Sequence, residues 1–381
     1  MPVRREPAGN LGSMHAERLA RVRAAMADQH VDACLLSVGP DLPWLIGYEA
    51  MPLERLTMLV VPRDGVATLV IPALEVPRVV ARDDIFRIRA WGETEDPVAI
   101  VAELMGAAAT AAIGNRTWAQ FLVAVQRARP ATTFTTTSEI VGPLRQVKDP
   151  HEIEALRRAA AAVDRIATEL QAGGIPLVGR TEAEVSADLG RRILAEGHHR
   201  VNFAIVAAGE NAASPHHEPG ERVIGPGEVV LCDFGGTMLA EGGAGYCSDI
   251  TRCVVTGEPT AEMHEVYSVL HEAQAAAVAA GRVGVTAEQV DATARDIITD
   301  AGYGEWFMHR TGHGIGVEEH EDPYIVSGNH HRLVPGNAYS VEPGIYLTGR
   351  FGFRLEDIVV ATEHGPDALN RVDHRLVAVD A

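Results

Sequence analysis

C-D-F-G-G-T-M-L-A-E-G-G-A-G-Y-C-S-D-I-T-R, residues 232–252, is the stretch whose reading decides the fold. It sets two aspartates, Asp233 and Asp249, on either side of a glycine-rich turn. The apolar run Val229, Val230, Leu231, Cys232 leads into Asp233 as a buried strand does. Beyond the turn, Cys247, Asp249, Thr251 and Cys253 alternate with Ser248, Ile250 and Arg252, the period of a second strand. Two adjacent strands with inward carboxylates are costly to bury unless something neutralises them. A metal ion is the usual answer, and it demands more ligands elsewhere in the chain.

Three further segments offer them. His309-Arg-Thr-Gly-His313-Gly-Ile-Gly embeds a histidine among glycines; the helical HExxH pattern of zincins is absent. Ser340-Val-Glu342-Pro-Gly-Ile-Tyr346 sets a glutamate between an apolar strand and a Pro-Gly turn. Phe353-Arg354-Leu-Glu356-Asp-Ile alternates, which predicts Arg354, Glu356 and Ile358 on one strand face and Phe353, Leu355 and Asp357 on the other. Asp233, Asp249, Glu342 and Glu356 carry a charge that two divalent ions balance, with His313 a neutral ligand. Oxygen-rich ligation with one imidazole favours Mn²⁺, Co²⁺ or Fe²⁺ over a closed structural Zn²⁺ site. Paired ions make water nucleophilic near neutral pH and hold a carbonyl, which is metal-assisted hydrolysis.

Composition narrows the setting. A chain of 381 residues, 46% hydrophobic and 22% charged, fits a globular protein of two domains. A formal charge of −19 argues against nucleic acid or an anionic membrane as partner. No apolar run approaches a membrane span, and no apolar h-region follows Arg4 and Arg5. The cysteines 34, 232, 247 and 253 form no CxxC and no disulfide framework, so reduced thiols and a cytoplasmic location are expected.

Residues 1–13, rich in Pro, Gly and Arg, are expected to be a disordered tail. Over residues 14–145, strand patterns at 31–38, 56–61, 66–71 and 111–113 alternate with helical ones at 16–28, 98–105 and 118–127. That is a small α/β domain without a chemical motif. The second domain, residues 146–381, opens on Asp149-Pro150-His151-Glu152, a helix start with its capping box. It holds an internal repeat. Gly179-Arg-Thr181-Glu-Ala-Glu184 runs to Gly197, and Gly284-Val-Thr286-Ala-Glu-Gln289 runs to Gly302, at the same separation and each after a long Ala-rich helix. Two capped helices in matching register predict two related halves with the site where they meet.

In this order, the motifs at 233–236, 248–252, 309–316, 341–346 and 354–357 resemble the pita-bread (M24) metallopeptidase family. Within it they are most similar to the Xaa-Pro dipeptidases (prolidases) and Xaa-Pro aminopeptidases. The resemblance implies an α/β creatinase-like N-terminal domain, then an α+β pita-bread catalytic domain with an internal pseudo-two-fold duplication. It makes Asp233 a chelating ligand of one metal, Asp249 and Glu356 bridges between two, and His313 and Glu342 the completion of the other. Glu342 is also implied as general base on the bridging water. His216 matches the family's first catalytic histidine and His320 the second; imidazoles so placed donate hydrogen bonds to the scissile carbonyl and its oxyanion. His309, Tyr346 and Arg354 fall where the family places substrate-side groups, and for Arg354 a plain salt bridge stands as the alternative.

The function so implied is a di-metal hydrolase, Mn²⁺ first with Co²⁺, Fe²⁺ or Zn²⁺ as alternatives, that removes N-terminal residues from Xaa-Pro dipeptides or peptides. A broader dipeptidase or aminopeptidase of the same fold is the nearest alternative, and a non-catalytic pita-bread binding protein the next. A homodimer is expected because a neighbouring subunit often closes the cleft in this family. His217 is read as a bystander. The pairs His198-His199 and His330-His331 lack carboxylates at ligand spacing and are expected at the surface. Cys232, Cys247 and Cys253 are read as small core residues. The insert at 240–244, which carries Glu241, lengthens the turn beyond the family pattern and is expected to reach towards the cleft mouth.

Overall fold

A computed structural model of the protein describes residues 4–5 and 10–379. It forms two compact units: Met1–Arg145 with Ala240–Gly245, and Gln146–Leu239 with Tyr246–Ala381. The tail expected over 1–13 falls largely outside the described residues. Within it, Arg4–Arg5 pairs with Val80 and Ala81, and the first helix, Asn10–Asp28, begins earlier than its periodicity predicts.

The first unit is built on a six-stranded sheet, ordered Phe86–Trp91, Ala67–Pro72, Met58–Pro62, Ala33–Leu36, Thr110–Ile113, Thr133–Thr136. The strands expected at 56–61 and 66–71 pair antiparallel, with Met58 opposite Val70. Asp96 caps the helix Pro97–Leu104, accepting from Val98 N and Ala99 N, with Pro97 in the first turn where its missing N–H costs nothing. That helix and Ala119–Ala128 cover the sheet, burying Leu35, Val60, Val70, Val101 and Val125.

The segment Ala240–Gly245, the insert after Leu239, packs with this unit. A Cβ on Gly47, whose φ is 70°, would lie 1.9 Å from the Gly242 carbonyl oxygen, so only glycine permits the approach. Arg82 fastens it, donating to Ile46 O at 2.7 Å and to Gly242 O at 3.3 Å.

The second unit has two five-stranded sheets. In the first, Val229–Leu239 lies between Ile250–Thr256 and both Gly245–Cys247 and Arg200–Ala208, with Val377–Val379 at the edge. In the second the order is Glu321–Ile325, Gly312–Gly314, Ala338–Val341, Asp357–Thr362, Gly365–Ala368. Helices Pro150–Gln171 and Glu182–Ala195 back the first, Ala261–Ala280 and Ala287–Asp300 the second. The duplication extends to single hydrogen bonds. Gly179 N to Ile224 O, Glu182 N to Arg222 O and Ala183 N to Gly220 O are mirrored by Gly284 N to Leu333 O, Ala287 N to His331 O and Glu288 N to Asn329 O.

One strand departs from its pattern. The alternation over 353–358 is split between Phe351–Arg354, half of a hairpin with Gly344–Leu347, and Asp357–Thr362 in the second sheet. Leu355 and Glu356 form the break between them. Among the described residues no helix is long and apolar enough to cross a membrane.

Candidate metal centre

The register of the opening stretch sets the centre. Asp233 faces Thr251 across the ladder, with Cys232 opposite Arg252 and Phe234 opposite Ile250. Cross-strand partners share a face, and Asp249, two residues before Thr251, joins them by the strand period. The chain at Glu356 docks onto the same strand: Glu356 N donates to Thr251 O at 3.3 Å, and Thr251 Oγ1 donates to Glu356 Oε2 at 2.8 Å. Three carboxylates therefore converge from three backbone segments, all nine-tenths buried or more.

His313 approaches from the second sheet. Gly312 before it lets the strands close up, since a Cβ there would sit 1.9 Å from Ser340 O. His313 N donates to Ser340 Oγ, and Nδ1 faces Gly314 O at 3.1 Å. Nδ1 is thus an N–H donor to that carbonyl, and Nε2 lies 3.2 Å from Glu342 Oε1 and 3.7 Å from Asp249 Oδ2. Ligand atoms of Asp249, His313 and Glu356 lie within 4.8 Å of one another.

The surroundings are those of a site that needs cations. Burial, then the proximity of Glu356 and Asp233, pushes the Asp249 carboxyl well above the usual carboxylate range. Burial and the charge of Glu342 and Asp233 do the same for Glu356. Asp233 is raised by burial too, against the pull of Arg354, whose Nη2 donates to Oδ2 at 2.6 Å. Its other oxygen, Oδ1, is buried without a hydrogen-bond partner. Glu342 goes the other way: burial raises it, but the bond to His313 and the charges of His313, His309 and Arg354 win and hold it at about 2. A buried carboxylate oxygen without a hydrogen-bond partner, two carboxyls raised by burial and neighbouring acids, and one imidazole beside them form a donor set that fits divalent ions.

Nine of the ten predicted site residues line one cavity of about 490 Å³: His216, Asp233, Asp249, His309, His313, His320, Glu342, Arg354 and Glu356. Tyr346, fully buried, reaches the site through its partners. Arg354 Nη1 donates to Tyr346 OH at 2.9 Å, and the hydroxyl lies 2.8 Å from His309 Nε2. His309 Nδ1 lies 2.7 Å from Arg310 O, which can only accept, so Nδ1 is the donor and Tyr346 gives its proton to Nε2. Burial lowers the His309 pKa. His320 packs against His313, with ring centroids 3.9 Å apart and ring planes tilted by 42°. Desolvation, the His313 ring and Arg310 bring its pKa down to about 4. Arg310 Nη2 donates to His320 Nδ1 at 3.3 Å, which leaves Nε2 as the N–H donor.

For Arg354 the salt bridge is present, and the residue also lines the cavity. It is ion-paired to Asp233, with Nε 3.9 Å from Glu342, and it also donates to Thr251 Oγ1 and Pro215 O. The surface expectation for His198 is corrected: it is buried, with Nε2 2.8 Å from Ser248 Oγ. His330 is exposed, beside Glu288. The four cysteines are buried and free, and burial raises the thiol pKa of each. Sequence reasoning missed Phe203, Ile205, Pro215, Arg310 and Glu319, which also line the cavity. Phe203 and Ile205 lie on the edge strand Arg200–Ala208, whose sequence shows only ordinary strand alternation.

Residues 153–363 match Metallopeptidase family M24, and residues 18–147 match the Creatinase/Prolidase N-terminal domain. The chain is 44% identical to the Mycobacterium tuberculosis protein named probable dipeptidase PepE, over 96% of this chain and 97% of that one. It is 35% identical to the Xaa-Pro dipeptidase of Lactobacillus helveticus, over 94% and 98%. The crystal structure of dipeptidase PepE from Mycobacterium ulcerans superposes with a TM-score of 0.89 at 43% identity, covering 97% of this chain and 99% of that one.

Proposed function

This chain belongs to metallopeptidase family M24, and from that membership we propose a two-metal dipeptidase that prefers to split the bond between an N-terminal residue and proline. The observation that carries the reading is that Asp233, Asp249, His313, Glu342 and Glu356 line one cavity, three of them with ligand atoms within 4.8 Å of one another, and that Asp233 Oδ1 is buried without a hydrogen-bond partner. These five residues would hold the ions, with Mn²⁺ the first choice for so oxygen-rich a set. When bound, the ions supply Lewis acidity that polarises the scissile carbonyl and lowers the pKa of water.

The chain's own groups supply the rest. Glu342, ionised across the neutral range, takes the proton of the attacking water and delivers it to the leaving nitrogen. His320, neutral and protonated on Nε2, donates to the carbonyl oxygen as negative charge develops there, and His216 from its own loop donates to the same oxygen. Arg354 fixes Asp233, and the Arg354–Tyr346–His309 chain holds the substrate side of the cavity in one hydrogen-bonding direction. A cavity of about 490 Å³ suits a small substrate. The names of the relatives, a dipeptidase and an Xaa-Pro dipeptidase, support dipeptides over longer peptides.

A panel of Ala-Pro, Ala-Ala and Ala-Pro-Ala tests the specificity. Ala-Pro is expected to give the highest kcat/KM. Equal rates on Ala-Ala would replace proline preference by the broader dipeptidase reading, and faster cleavage of Ala-Pro-Ala would make the enzyme an aminopeptidase.

A further inference from the structure

Glu182, the first residue of the helix Glu182–Ala195, is fully buried and does not line the cavity. A buried carboxylate is costly unless its lone pairs are filled. Here they are filled by the loop that carries His216. Oε1 accepts from Ala208 N at 2.8 Å and Asn211 Nδ2 at 3.0 Å. Oε2 accepts from Asn211 Nδ2 at 3.2 Å, His217 Nε2 at 2.7 Å and Gly220 N at 3.4 Å. The donors come from both ends of the segment 208–220, so a single carboxylate ties its entry to its exit. His216 stands between them.

The loop is held from the other side as well. Pro215 O, one residue before His216, accepts from Arg354 Nη1 at 3.1 Å. His216 therefore sits between two anchored neighbours: Pro215 fixed to the arginine that holds Asp233, and His217 fixed to Glu182. The second half of the unit uses the same device at a different helical position. Asp291, buried on Ala287–Asp300, accepts from Thr311 N at 3.1 Å and Thr311 Oγ1 at 2.8 Å, between His309 and His313. Arg295, paired to Asp291, donates to His309 O at 2.8 Å. Each half thus spends one buried helix carboxylate on the loop that brings its histidines to the cavity.

We propose that Glu182 and His217 are positioning residues for the proposed reaction: through their hydrogen bond they set the place of His216 at the scissile carbonyl. The inference rests on the reading of His216 as an oxyanion donor. A displacement of about 1 Å in such a donor costs on the order of a hundredfold in rate. Because the pair acts through His216 and away from the ions, its loss falls on kcat and spares metal content and KM.

The test is a set of kcat and KM values on Ala-Pro for Glu182→Ala, His217→Leu and His217→Gln, each alone and combined with His216→Ala, with metal content and Tm measured alongside. Glu182→Ala and His217→Leu are expected to lower kcat by about tenfold to a hundredfold with KM within threefold and metal content unchanged. His217→Gln, which keeps an N–H donor for Glu182, is expected to recover most of the rate. In the His216→Ala background the same substitutions should cost nothing further. Should Glu182→Ala fail to fold, the two His217 variants carry the test. Rates within twofold of the parent for His217→Leu, or an undiminished loss in the His216→Ala background, overturn the proposal. A His216→Ala protein with unchanged kcat overturns the reading of His216 beneath it, and that single variant tells the two failures apart.

Discussion

At the scale of the residue, the centre is defined by carboxylates that disagree about their protons. Asp249 and Glu356 sit well above the usual range because burial and their neighbours penalise a second charge, while His313 and its surroundings hold Glu342 at about 2. One environment thus sorts ligands that wait for a cation from a base already ionised. Glu342→Ala is expected to lower kcat by about 10²- to 10⁴-fold and to lose bound metal in the same step; elemental analysis of the purified variant checks the second half. Activity surviving that substitution would sink the assignment of the base. Tyr346→Phe removes the hydroxyl between Arg354 and His309, and kcat is expected to fall about tenfold with metal content intact. Arg354→Ala leaves Asp233 buried without its cation and should cost about 3–5 kcal/mol of stability in the metal-free protein, read by denaturant unfolding. The ligands were legible in the sequence because a carboxylate beside a glycine-rich or Pro-Gly turn stands out from a strand. Glu182 was not, because its chemistry lies wholly in which backbone N–H groups the fold brings to it. His217 looked like a bystander for the same reason.

At the scale of the element, the two capped helices were the clearest signal of duplication, and their caps are not equal. Thr181 makes both bonds of its box: Glu184 N donates to its Oγ1 at 3.1 Å, and its own N donates to Glu184 Oε2 at 2.9 Å. At Thr286 the return bond to Gln289 Oε1 is present at 2.9 Å, but the hydroxyl is buried without a hydrogen-bond partner. Thr181→Ala is therefore expected to cost about 1 kcal/mol, and Thr286→Ala clearly less, since it removes a hydroxyl already unsatisfied. Thermal unfolding of the two variants decides it; equal losses would contradict the difference in cap geometry. The strand at 353–358 shows where pattern reading stopped. Its alternation is real, yet Phe351–Arg354 pairs with Gly344–Leu347 while Asp357–Thr362 pairs with Ala338–Val341. Alternation reports which face a side chain takes; it carries no record of which neighbour the backbone pairs with. The packing of the insert after Leu239 was hidden in a similar way, since three glycines and Arg82 decide where Ala240–Gly245 packs, and local sequence shows only a flexible turn.

At the scale of the whole molecule, metal, protons and stability are linked. In the metal-free protein Asp249 and Glu356, with pKa values raised above those of the unfolded chain, bind protons that the unfolded chain has released. Their contribution to stability is full below the unfolded carboxylate range and is lost as pH rises through the raised folded values. Bound cations displace those protons, so metal affinity should tighten with pH, about tenfold per unit for each proton displaced. The gain in Tm on adding Mn²⁺ is accordingly expected to be larger at pH 8 than at pH 6; a gain independent of pH would contradict proton displacement at these ligands. A homodimer is proposed as the working assembly, and sedimentation at micromolar concentration checks it: a single species at the monomer mass of 40.7 kDa would reject it. The two-domain order and the family were legible because five motifs recur in one order along the chain, whereas the cavity's apolar wall at Phe203 and Ile205 had no motif to announce it. The central claim is that two ions held by Asp233, Asp249, His313, Glu342 and Glu356 make this chain a dipeptidase. Its most direct test is to titrate Mn²⁺ into chelator-stripped protein while following Ala-Pro hydrolysis. Activity is predicted to be absent without metal and to reach its plateau at two ions per chain. Hydrolysis that persists in the stripped protein, a plateau at one ion, or no cleavage at saturating Mn²⁺ or Co²⁺ would contradict it.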